Sequence, residues 1–202
     1  LLVLLLLSGL VSSQEKMTQE QISFLQKKVR QTARATKSIV SDFTETKHMD
    51  ILDDSVEHTG KLYYLAPDHI RWEYTYPQTN VAIFKEETML VANNGMPEVI
   101  DLSSNKLFRS FNQLIVNSIS GNMFNDDQFT IEYLKFDEGY AVTFMPKDRR
   151  LQRFVSSFEL LFDTASGAVI QIKLIEPNDD YTRIQFKNRM TNVLVGEDKF
   201  KL

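Results

Sequence analysis

The 202-residue chain has no cysteine, one tryptophan, five prolines and seven glycines. Without thiols it has no disulfide framework, no thiolate nucleophile and no lipid attached to an N-terminal Cys. An exported chain that needs no disulfides fits a bacterial periplasm. Neither a Gly-rich phosphate loop nor a Gly-x-Ser-x-Gly elbow occurs among so few glycines. Positive charge is also thin: 23 Lys and Arg are scattered among 27 Asp and Glu, for a net charge of −4. With no basic stripe to neutralise phosphates, nucleic acid is excluded as a partner. The three histidines, His48, His58 and His69, lack metal-ligand spacing, and no Cys completes a zinc site. Asp53-Asp54, Asp126-Asp127 and Asp179-Asp180 lie in polar turns without a calcium-loop pattern around them. The expectation is therefore a protein that is not an enzyme, with no catalytic residues, no metal and no cofactor.

Long apolar runs are equally scarce. The one at the start, LLVLLLLSGLVSS, is shorter than the roughly twenty residues a membrane-spanning helix needs. It ends in small residues and reads as the C-terminal part of a secretory signal peptide covering residues 1–13. Residues 14–202 are then expected to form one domain, exported to the periplasm and monomeric.

What the sequence does have is aromatic and aliphatic side chains in clear periods, with fourteen Phe and seven Tyr. Ile22, Leu25, Val29 and Ala33 recur at helical steps, and Thr18 stands three before Gln21 as in a capping box. These predict a helix from about Thr18 to Thr36. The period then becomes two. Strands are expected over Ile39–Met49, Gly60–Leu65, Ile70–Tyr76, Val81–Phe84, Met89–Ala92 and Glu98–Leu102. The turn residues Ala66-Pro67-Asp68 make the second and third of these a hairpin, and Asn93-Asn94-Gly95 makes another. Asn105–Met123 returns to the helical period, with Leu107, Phe108, Phe111, Leu114, Ile115 and Ile119 along one face. Further strands are expected at Phe129–Tyr133, Tyr140–Phe144, Phe154–Phe162, Val169–Ile175 and Thr182–Lys187, with a turn at Asp163–Gly167.

The sum is ten or eleven strands and two helices without βαβ spacing, a mainly antiparallel β fold with α. Alternation places Leu62, Tyr64, Ile70, Trp72, Tyr74, Phe144, Phe158 and Leu160 on one apolar sheet face. Periodicity alone cannot separate a filled core from the wall of a ligand cavity.

The spacing Gly60-x-Leu62-x4-Pro67-x4-Trp72-x4-Pro77, the central apolar helix, and the closing Thr182-x-Ile184-x-Phe186-x-Asn188 before Phe200-x-Leu202 resemble the LolA family. That family carries lipoproteins through the periplasm to the outer membrane. The resemblance implies an incomplete, strongly bent β-barrel covered by an N-terminal helix and a central helical lid. It further implies acyl chains as ligand, held by Leu62, Tyr64, Ile70, Trp72, Tyr74, Phe108, Phe111, Leu114, Ile115, Phe144, Phe158 and Leu160. An inner-membrane lipoprotein-releasing complex and an outer-membrane acceptor are the implied partners. Carriers of this pattern commonly have an Arg before the first Pro that latches the lid; here that position is Ala66, and Arg71 nearby alternates out of phase with Trp72. A lipid- or lipoprotein-sensing module of an envelope signalling system on the same fold is the alternative, and a hydrolase of envelope lipids or glycans a third.

Overall fold

Thr18 caps the first helix as the sequence predicts. Its hydroxyl accepts from the Gln21 N–H at 3.3 Å, and Gln21 Oε1 accepts from the Thr18 N–H at 2.8 Å. Two otherwise orphaned helix donors are satisfied in this reciprocal way. The computed structural model describes residues 15–50, 54–85, 88–93, 96–101, 117, 121–124, 127–136 and 139–202. A short strand β1 (Glu15–Lys16) precedes helix α1 (Gln19–Ala35), which buries Leu25 and Val29.

Eleven strands follow: β2 (Ser38–Met49), β3 (Asp54–Leu65), β4 (His69–Tyr76), β5 (Asn80–Lys85), β6 (Thr88–Asn93), β7 (Met96–Asp101), β8 (Phe129–Phe136), β9 (Gly139–Pro146), β10 (Ser157–Asp163), β11 (Val169–Ile175) and β12 (Tyr181–Thr191). They form a single sheet in the order β1-β8-β9-β10-β11-β12-β2-β3-β4-β5-β6-β7. Its two ends, β1 and β7, do not pair with each other, so the sheet is not closed into a barrel. Two meanders, β2–β7 and β8–β12, are joined where β12 pairs with β2.

The hairpins form where turn chemistry places them. Tyr64 pairs with Ile70 and Leu62 with Trp72 across the Ala66–Asp68 turn. Both prolines of that stretch, Pro67 and Pro77, follow cis peptide bonds. Several strands run longer than the sequence suggests, because ladder hydrogen bonds continue past the apolar residues. β3 begins at Asp54, so β2 and β3 pair along their whole length from Met49–Asp54 to Ser38–Leu65. The strand expected from Phe154 starts at Ser157 instead. Asp148 Oδ1 accepts from the Arg150 N–H at 2.8 Å and turns the chain into a 3₁₀ segment, Leu151–Arg153, which leaves Phe154 exposed. The twelfth strand, β1, is too short to register as a period.

Two apolar clusters lie on the inner face. The first gathers Leu25 and Val29 of α1 with Phe129, Val142, Phe144, Phe158, Leu160 and Phe162 of β8–β10. The second gathers Ile39, Phe43, Leu62, Tyr64, Ile70, Trp72, Phe84, Met89 and Ile184. Among the described residues, no helix contributes to this second cluster. The predicted central helix, with Phe108, Phe111, Leu114 and Ile115, lies outside the described residues.

Candidate functional site

A cleft runs along the seam between the two clusters. Val29, Thr32 and Ala33 of α1 and its C-cap Thr36 form one wall, and Ile39, Ser41, Leu62, Trp72, Ile172, Phe186 and Arg189 of the sheet form the other. Gly167, Ala168 and Val169, at the β10–β11 turn, complete the lining. The cleft encloses about 50 Å³, room for a few water molecules.

The aromatic wall is built by cross-strand stacking. The Phe43 ring meets Trp72 edge-on at 5.0 Å and Tyr74 at 5.1 Å, and Trp72 reaches Phe186 at 6.1 Å. Such edge contacts fix ring orientation in addition to burying area. Tyr74 donates its hydroxyl to Glu45 Oε2 at 2.8 Å. Burial first, and the Glu45 carboxylate second, push the Tyr74 phenol far above its ordinary range.

The helix wall is tied to the β10–β11 turn. Thr32 Oγ1 donates to Ser166 O at 2.5 Å and Lys28 Nζ to Thr164 O at 3.2 Å. Gly167 adopts φ +68, and a Cβ there would meet Lys28 Cγ at 3.0 Å, so only glycine lets this turn approach α1 so closely. The far end of α1 is held by Asn192, which accepts from the Lys37 N–H at 2.7 Å and donates to Ala35 O at 3.0 Å.

The polar lining residues differ in one respect. Thr36 Oγ1 donates to Thr32 O at 2.7 Å, and Ser41 Oγ to Lys187 O at 2.8 Å, so with Thr32 the hydroxyls are spent on backbone carbonyls. Arg189 makes no such bond among the described residues, and its Nε is buried and unbonded. Its position results from a bulge. Lys187 pairs with Asp42 but Met190 with Val40, so two residues of β12, Asn188 and Arg189, stand opposite the single residue Ser41. Asn188 takes the left-handed φ of 51 that asparagine tolerates, and its amide donates outward to Asp42 Oδ2 at 2.8 Å. The alternation shifts by one, and Arg189 joins the cleft lining in place of Asn188.

Of the residues expected to meet acyl chains, Leu62 and Trp72 line the cleft. Tyr64 and Ile70 are buried in the second cluster and Tyr74 packs against it, whereas Phe144, Phe158 and Leu160 lie in the first, beneath α1. Phe108, Phe111, Leu114 and Ile115 lie outside the described residues. Sequence reasoning missed Thr32, Thr36, Ile39, Ser41, Gly167 and Arg189 as lining. The Asn in the closing Phe186-x-Asn188 pattern, a residue type prone to positive φ, is the one signal of the bulge. Arg71, expected on the opposite face from Trp72, donates from Nη1 to Lys199 O and Lys201 O at 3.2 and 3.1 Å. Ala66 packs against the second cluster and donates its N–H to Lys37 O at 2.9 Å.

The family model of the outer membrane lipoprotein carrier protein LolA matches residues 34–202. The chain belongs to the LolA family. Solved structures share its fold at low identity. MucB in the MucA/MucB complex of Pseudomonas aeruginosa aligns with TM-score 0.54 and 13% identity, covering 90% of this chain and 61% of that one. Lipoprotein LppX of Mycobacterium tuberculosis aligns with TM-score 0.50 and 12% identity, covering 89% and 100%. A LolA superfamily protein of Nitrosomonas europaea aligns with TM-score 0.50 and 9% identity, covering 89% and 97%. No curated protein matches the sequence.

Proposed function

We propose that this LolA-family chain is a periplasmic carrier that binds the acyl chains of lipoproteins between α1 and the inner sheet face and delivers them to the outer membrane. The observation that carries the reading is the seam cleft itself, set where the helix-covered core meets a second apolar cluster of the same sheet. Acyl chains gain about 0.8 kcal/mol per buried CH₂ without directional contacts, so an apolar cleft suffices to hold them. Ile39, Leu62, Trp72 and Phe186 would be first to touch the chain. At about 50 Å³ the cleft as it stands takes only a short piece of chain, so loading requires α1 and the β10–β11 turn to move apart from β2–β4. Binding, not catalysis, is the activity. An inner-membrane lipoprotein-releasing complex would donate the cargo and an outer-membrane acceptor would receive it.

The test is extraction. Purified protein incubated with membranes carrying a triacylated lipoprotein should recover it in the soluble fraction and yield it to acceptor membranes. Failure to extract it, together with absence of acyl chains in natively purified protein, would overturn the reading.

A second reading, a lipid- or lipoprotein-sensing module of an envelope signalling system, is favoured by one observation. Position 66, where carriers have a latching Arg, holds an apolar residue packed into the second cluster. Stable capture of a membrane regulator in a pull-down, without lipoprotein transfer, would select it over the carrier.

A further inference from the structure

Arg189 is out of place in a purely acyl-binding cleft. An apolar wall needs no cation, and burial already presses this guanidinium below its ordinary pKa, with no acidic group among the described residues offsetting the cost. Its Nε is buried without a hydrogen-bond partner, although an arginine presents five donors in a planar fork. Nor is the residue there by default: it enters the lining through the Asn188–Arg189 bulge opposite Ser41, stitched by Ser41 Oγ on Lys187 O and by Asn188 on Asp42. Bulges re-aim side chains, and this one exchanges a neutral amide for a charge at the edge of an apolar surface. The other polar side chains of the lining, Thr32, Thr36 and Ser41, have donated their protons to backbone carbonyls and are not free to bind a ligand's anion.

We propose that the cleft selects amphiphiles whose polar end is an oxyanion, a carboxylate or a phosphate ester, with Arg189 gripping that end while the acyl tail lies along Ile39, Leu62, Trp72 and Phe186. The proposal rests on the acyl-binding reading above but extends the ligands to anionic amphiphiles, since the acylated cysteine of a lipoprotein carries no oxyanion at its acyl head. A fork-shaped cation at the edge of an apolar cleft favours a bidentate oxyanion, and the bond formed there is charge-assisted at both ends.

The experiment uses the single tryptophan, Trp72, which lines the cleft, as its reporter. Dodecanoate, its uncharged methyl ester, dodecyl phosphate and inorganic phosphate are each titrated into the protein, kept below micelle-forming concentrations. The wild type should bind both anionic amphiphiles about ten- to a hundredfold more tightly than the ester, and inorganic phosphate should not compete at millimolar concentration. Arg189→Gln should keep its affinity for the ester and lose the preference for the anions, while Arg189→Lys, which retains charge but not the fork, should fall between. Equal affinity for dodecanoate and ester in the wild type, or an undiminished preference in Arg189→Gln, overturns the proposal and leaves acyl binding standing. Competition by inorganic phosphate alone overturns the amphiphile in favour of a free-anion site. If no amphiphile, charged or uncharged, perturbs Trp72, both this proposal and the acyl-binding reading fall. Because no hydrogen bond or ion pair holds Arg189 among the described residues, the variants are expected to fold, which their thermal transitions verify.

Discussion

Gly60 lies directly opposite Phe43, and the Phe43 ring fills the space where a side chain on residue 60 would stand. A Cβ there would come within 2.2 Å of the Glu73 carbonyl oxygen and 2.6 Å of Phe43 Cζ. The absence of a side chain lets Phe43 lie between Trp72 and Tyr74 and complete the aromatic wall. Gly60→Ala should therefore destabilise the fold by about 1–3 kcal/mol, the cost of overpacking a closed site. Denaturant unfolding measures it, and a Trp72 emission shift should accompany the loss because the edge contact with Phe43 is disturbed.

Tyr74 makes stability sensitive to high pH. Burial and the Glu45 carboxylate hold its phenol protonated in the folded state above the ordinary value of 10.0. In the unfolded chain the phenol ionises near that ordinary value. Above it the unfolded state has lost a proton that the native state retains, so stability falls as pH rises. Tyr64 acts in the same direction, raised first by burial and then by Asp68. Tyr74→Phe should flatten the decline above about pH 10 without abolishing it. Unfolding curves of both proteins from pH 8 to 11 check this.

Arg71 serves the C-terminal segment. It pairs with Glu73 at 2.9 Å and holds the carbonyls of Lys199 and Lys201, while Phe200 is buried against the His69 ring at 5.4 Å. Burial pushes the Glu73 carboxyl up, but Arg71 and Lys199 together outweigh it and keep the group below its ordinary range. Arg71→Ala should cost about 1–3 kcal/mol and speed hydrogen exchange of the Lys199 and Lys201 amides, whose bonds to Gly196 O and Asp198 O depend on that segment. Acyl binding in the cleft should persist.

How far the sequence could be read is visible on the two sides of the β2–β12 junction. Ile70, Trp72 and Tyr74 alternate without interruption, and the inner face of the β3–β4 hairpin follows from that period and the Ala66–Asp68 turn. At Asn188 the period breaks. Alternation from Ile184 and Phe186 would point Asn188 inward, and the bulge puts Arg189 there instead, so the cation of the cleft cannot be found by counting. The helix wall is legible as an apolar stripe, but Thr32 and Thr36 lie outside that stripe. The role of Thr32 depends on the β10–β11 turn, more than 120 positions away, folding back onto α1. A local pattern carries no information about such a contact. The Phe154 strand start failed for a different reason, an Asp148 side chain that turned the backbone before the apolar run began.

The cleft's walls can be brought together by substitution. Ala33 faces the cleft from α1, and leucine has nearly the same helix propensity as alanine. Ala33→Leu should fill much of the enclosed 50 Å³, weaken acyl binding at least about tenfold, and leave the helix content unchanged by circular dichroism.

The central claim is that the seam between the two apolar clusters holds acyl chains. Native mass spectrometry of the protein purified natively without detergent addresses it most directly, followed by denaturation and identification of what is released. Bound species carrying acyl chains are expected, absent from Ala33→Leu prepared in parallel. Protein that emerges unliganded and stays so after incubation with triacylated lipoprotein would contradict it.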